Sequence, residues 1–95
     1  ALLENLVFQE LRRWGVDFSY YSSPDYEIDF VLHKDKKIDR LIQAAYHLDD
    51  AETRKREIKA LLKGSKDLRC KNLIVITWDK EEVEEIEGQK IEIIP

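Results

Sequence analysis

The sequence predicts an α/β fold: a central mixed sheet flanked by helices, ordered α-β-β-β-α-β with a short strand pair at the C-terminal end. Three observations predict it. Apolar residues recur at helical spacing over 1–14 and again over 50–68. Three strand-like runs lie between those helices. A continuous apolar run, Leu73-Ile74-Val75-Ile76, follows the second helix and has the character of a strand covered on both faces.

The first helix carries Leu2, Leu3, Leu6, Val7, Leu11 and Trp14 at three- and four-residue spacing, and Gly15 ends it as a C-cap. Val16 to Ser22 is rich in aromatics and predicts a short strand. Ser23-Pro24-Asp25 turns the chain into a second strand, Tyr26–His33. Lys34-Asp35-Lys36-Lys37 makes a hairpin turn into a third, about Ile38 to Leu48. Asp49 is placed to cap the second helix, with Glu52 three residues on completing a capping box. That helix turns Ile58, Leu61, Leu62, Ser65 and Leu68 to one face and runs to about Leu68. The run Lys71–Trp78 holds the apolar strand, and Val83–Ile86 and Lys90–Ile94 flank Glu87-Gly88-Gln89 as a terminal strand pair of unassigned sheet order.

Ninety-five residues make one domain, able to bury roughly 60–65% of its unfolded surface. Hydrophobic content of 43% and charged content of 38% describe a folded chain, not a disordered one. A net charge of -4 gives no global attraction to nucleic acid, so such binding needs a local basic patch. The single cysteine, Cys70, excludes an internal disulfide, and the lack of a signal peptide or long apolar run makes the cytoplasm the expected location without a membrane partner. Abundant Lys and Glu with sparse Asn, Gln, Met and Cys lean toward a thermophilic source. The chain opens in mid-helix pattern with no Met, which reads as a piece of a longer protein.

Two polar residues stand where buried strands do not need them. Asp29 lies between Ile28 and Phe30, and Gln43 between Ile42 and Ala44. On adjacent antiparallel strands, the two oxygens could reach one divalent cation, with Glu4 on the first helix as a further ligand. Composition and spacing alone favour a plainer arrangement. There Asp29 faces solvent and pairs with Arg40 or Arg12, while Gln43 sits at the sheet rim.

Glu4–Gly15, Tyr26–Leu32 and Leu41–Tyr46, continued by Asp50–Leu62 and Leu73–Asp79, resemble the C-terminal domain of a group of archaeal and bacterial AAA-type ATPases. That domain in turn resembles the PD-(D/E)XK nuclease superfamily, with its restriction-endonuclease-like fold. The resemblance covers nearly the whole chain. It implies a single domain, 1–95, from the C-terminal region of an ATPase, with the parent ATPase domain as its partner on the same chain. It makes Glu4 the helix acid, Asp29 the metal-binding aspartate and Gln43 the second ligand of a Mg²⁺ site. It also places the motif lysine on Ala45, where it is absent. Loss of one first-shell charge at Gln43 and of the ammonium weakens both cation binding and transition-state stabilisation, a single such group being worth roughly two to three orders of magnitude in rate. Mg²⁺ is therefore expected to bind weakly or not at all, and nucleic acid or a partner protein to be bound without being cut. An active endonuclease would need a relocated cation, for which Arg54, Arg56 and Lys59 are candidates. A structural interaction module is the remaining alternative.

On the second helix, Arg56, Lys59, Lys63 and Lys66 fall within a stripe roughly 80° wide that can follow a phosphate backbone, although lysine-rich faces are usually only solvated. Arg54, at the apolar edge, is expected to meet an acid such as Asp29 or Glu4. The acidic run from Glu81 to Glu87 would repel nucleic acid. Tyr20, Tyr21, Tyr26 and Tyr46 have ring faces that stack bases, yet strand aromatics more often serve packing. His33 and His47 lack the spacing of a zinc site, and no glycine-rich phosphate loop is present.

Overall fold

The structure, a computed structural model, describes residues 2–95. Its elements are α1 (Leu2–Arg13), β1 (Asp17–Ser22), β2 (Glu27–Lys34), β3 (Lys37–Ala44), α2 (Ala51–Leu68), β4 (Leu73–Ile76), β5 (Glu82–Ile86) and β6 (Gln89–Ile94). The six strands form one sheet in the order β1-β2-β3-β4-β6-β5. The β1-β2-β3 meander is antiparallel, β3, β4 and β6 are mutually parallel, and β5 runs antiparallel to β6 at the far edge. The expected mixed sheet is present, and the terminal strand pair, whose sheet order the sequence leaves unassigned, extends it beyond β4.

Alternation along the strands sends side chains to two faces, and each face has its own helix. Leu41, Leu73, Val75, Ile91 and Ile93 pack with Ile58 and Leu61 of α2, while Phe30, Leu32, Ile42 and Ile74 pack with Val7 of α1. Gly64 lets α2 lie close to the sheet, since a Cβ there would stand 2.9 Å from Ile28 Cδ1. Both tight hairpins have their two central residues at positive φ, Asp35-Lys36 and Glu87-Gly88, the twist that matches flanking strands.

Three expectations need correction. Asp50, not Asp49, caps α2: its carboxylate accepts from the Thr53 N–H at 3.1 Å and the Thr53 hydroxyl at 2.6 Å. Asp49 instead pairs with Lys80 at 2.6 Å. The third strand stops at Ala44, not Leu48, because the chain turns there to deliver Asp50, whose N–H bonds to His47 O. Arg54 meets neither Asp29 nor Glu4; it bridges to Glu82 at 3.1 Å and Glu84 at 2.7 Å, tying α2 to β5. Among the described residues, no helix is long and apolar enough to cross a membrane.

Candidate nucleic-acid interface

The β2 strand is irregular where Asp29 sits. Ser19 pairs with Val31 and Tyr21 with Ile28, so Asp29 and Phe30 together oppose the single residue Tyr20. This β-bulge reverses the alternation, turning both Ile28 and Val31 toward α2 and re-aiming Asp29. On the other side of β2, backbone pairing with β3 ends at Phe30 and Ile42. Side chains bridge the strands beyond that point. Gln43 Oε1 accepts the Asp29 N–H at 2.7 Å, and Gln43 Nε2 donates to Glu27 O at 2.9 Å. Asp29 Oδ2 in turn accepts the Ala44 N–H at 2.9 Å. Gln43 is only 1% exposed, so it is no rim residue; its amide replaces ladder bonds that the splayed strands cannot make.

Beside this clamp, β2 and α2 border an open cleft of about 710 Å³. Asp25, Glu27, Asp29, Glu52 and Glu57 supply its acids, and Lys55, Arg56, Lys59 and Lys63 its cations. Burial pushes the Asp29 carboxyl up from its usual range; the Ala44 N–H works against this, and the charges of Glu4 and Glu27 add to it. Glu57, its side chain 16% exposed, is also raised, first by burial and then by the Asp29 charge, with Arg56 opposing. Asp29 has no cationic partner within salt-bridge distance among the described residues, so the expected pairing with Arg40 or Arg12 is not made. Arg40 pairs with Asp39, and Arg12 lies 5.7 Å from the Phe8 ring centroid.

The donor set does not suit a tightly held Mg²⁺. A hard cation needs several free oxygens. The only side-chain oxygen of Gln43 is already taken by Asp29 N–H, and one Asp29 oxygen by Ala44 N–H. No group of three or more His, Cys, Asp or Glu placed to hold an ion occurs among the described residues. Ala45, where the resemblance sets the motif lysine, is 3% exposed and packs in the α2-side core with Leu48 and Leu61.

The expected site residues are thus partly assembled. Asp29, Gln43, Arg56, Lys59 and Lys63 border one cleft, whereas Arg54 and Lys66 do not border it. Glu4 lies in a smaller groove on the α1 side that shares Asp29 with the cleft. Glu57 escaped the sequence reading. At about 100° per residue it falls between Leu61 and Gly64 on the buried arc of α2, a signal the helical count could have exposed.

A stability consequence follows from the raised Asp29 carboxyl. A raised folded-state value means that the native chain holds the proton more readily than the unfolded one. Stability from this group is therefore lost as pH climbs from the unfolded value to the higher folded one. Asp29→Asn keeps an acceptor for the Ala44 N–H without the charge. Its melting temperature should match that of the parent at about pH 3 and exceed it at about pH 7. A melting temperature at neutral pH equal to or below that of the parent would contradict this.

The chain belongs to the DUF4143 family, described as a domain of unknown function, whose model matches residues 1–95. It is 40% identical over 104 aligned positions to the uncharacterized protein MJ1544 of Methanocaldococcus jannaschii. The match covers 99% of this chain and 23% of that relative, so the chain spans about a quarter of the relative's length.

Proposed function

We propose that this domain is a nuclease-like accessory module of an AAA-type ATPase, with a degenerate site that binds nucleic acid along α2 without cutting it. A six-stranded mixed sheet with a helix on each face supports this reading. The observation that carries the reading is Gln43. At the position of a second acidic ligand, its amide is consumed in clamping β2 to β3, while Arg56, Lys59 and Lys63 remain along the adjoining cleft. Phosphodiester oxygens fit those cations. Mg²⁺ has no dedicated ligand set in this reading and is assigned no step.

Titrating the 95-residue chain with labelled DNA and RNA at low salt tests it. Lys59→Glu and Lys63→Glu should each weaken binding several-fold and reduce the salt slope by about one. Absence of binding, or indifference to both changes, would remove nucleic acid from the account. A second reading, an active endonuclease with a relocated lysine, draws on Lys59 and Lys63 sharing the cleft with Asp29 and Glu57. It requires strand cleavage with Mg²⁺ or Mn²⁺ that disappears in Asp29→Asn.

A further inference from the structure

The two faces of the sheet are not equally covered. On one, α2 packs over β2, β3 and β4, and its Arg54 reaches on to β5. On the other, α1 packs over β1 and β3, which leaves β6 and β5 without a helix of their own among the described residues. Phe8 meets the Phe18 ring at 5.4 Å, so that flank of α1 faces β1. Leu6 lies about 160° round the helix from Phe8, with Leu2 one turn earlier. Both therefore look toward β4, and they stay 42% and 63% exposed. The sheet beside them is apolar. Strand register and alternation set Ile76, Ile94 and Val83 on this face, the first two partly buried and Val83 62% exposed. A helix flank and a sheet floor thus form an open apolar corner.

The charges around the corner are mostly of one sign. Glu85 and Glu92 share the face of Val83, and Lys90 is the one cation that the register of β5 and β6 sets among them. Asp79, Glu81 and Glu87 stand in the chain on either side of β5. None of these five acids makes an ion pair among the described residues, whereas Glu82 and Glu84, on the other face, are bridged by Arg54. We propose that this corner seats an amphipathic helix of a partner protein, apolar on one face and rich in Lys or Arg along its flanks. The floor strands β4 and β6 are hydrogen-bonded on both sides, so an occupant gains from side chains and not from backbone pairing. A helix, which satisfies its own backbone, meets that condition and can lie beside α1 at roughly 8–10 Å between axes. A second copy fits poorly, because a two-fold contact sets the same acids against each other. The α2 cleft is on the opposite face, so this surface is independent of the nucleic-acid reading.

Anisotropy titration of the 95-residue chain with a labelled helical peptide of about 18 residues tests the proposal, the peptide bearing leucines at three- and four-residue spacing and lysines elsewhere. A counterpart with glutamates in place of the lysines is the control. The basic peptide should bind at least roughly tenfold more tightly than the acidic one. Val83→Asp should weaken it roughly fivefold or more although it adds an acid, which separates docking from general attraction to an acidic chain. Glu85→Lys should weaken it by a similar factor at low salt, and Lys59→Glu should leave it unchanged. Val83 and Glu85 are exposed on an edge strand, and a thermal melt of each variant shows whether the fold is kept. Equal affinity for the acidic peptide, no binding of the basic one, or indifference to both Val83→Asp and Glu85→Lys would overturn the proposal. Self-association of the chain alone that Val83→Asp abolishes would overturn it too, by giving the corner to a second copy.

Discussion

Gln43→Leu should destabilise the domain by about 2–6 kcal/mol, because it strips partners from two backbone groups that β3 cannot otherwise reach. The Asp29 N–H and the Glu27 C=O each lose their bond to the amide. Each unsatisfied buried group costs about 1–3 kcal/mol, and leucine fills the space without repairing either. For a domain of this length, that is a drop of roughly 10–30 °C in melting temperature, readable in a thermal or urea melt. Gln43→Glu sharpens the interpretation. A carboxylate keeps the acceptor for Asp29 N–H but loses the donor to Glu27 O and adds charge beside Asp29, whose own carboxyl is already raised by burial. The variant should be weakest near neutral pH and recover in acid, where a protonated carboxyl donates again. A Gln43→Glu chain at least as stable as the parent at neutral pH, and gaining tight Mg²⁺ binding, would mean that this position is a cation ligand after all.

Leu61→Ala is the other large effect, expected at about 3–5 kcal/mol. Leu61 is fully buried in the cluster that joins α2 to β2, β3 and β4. Truncating a buried leucine loses its transfer free energy and leaves a cavity whose size depends on how far the surroundings collapse. Collapse is restricted here. The backbone at Gly64 is already so near Ile28 and Leu41 that a single added Cβ would be in tight contact with both, so the helix cannot settle further onto the sheet. The cost therefore belongs in the upper part of the range. Chemical denaturation measures it directly, and a loss below about 1 kcal/mol would show that α2 packs more loosely than its distances indicate.

The contrast between what the residues announced and what they concealed has physical causes. The two helices, the β2–β3 hairpin and β4 were legible because period, turn chemistry and apolar runs are local signals. The pairing of β6 with β4 was not, since a parallel neighbour leaves no mark in the intervening turn. Adjacent acids at 49 and 50 hid which one caps α2; in the fold Asp50 accepts from Thr53 while Asp49 pairs with Lys80. Arg54 was correctly marked as an arginine in want of an acid, but its partners lie 28 and 30 residues away on an edge strand. The candidate site was half legible. Asp29 and Gln43 stood out as polar residues in apolar strands, and they do meet. Their relation is not that of two ligands around an ion, because the bulge at Asp29 and Phe30 splays the strands and makes the amide a backbone surrogate. Plain alternation through Ile28-Asp29-Phe30 gives no hint of that bulge.

The most direct test of the account is to map, by NMR, the backbone amides perturbed when a short single-stranded oligonucleotide is added in the presence of Mg²⁺. Shifts concentrated on Lys55 to Lys63 and on Glu27 to Asp29 are expected, with the oligonucleotide intact at the end of the titration. Shifts scattered elsewhere, none at all, or a strand shortened during the experiment would contradict it.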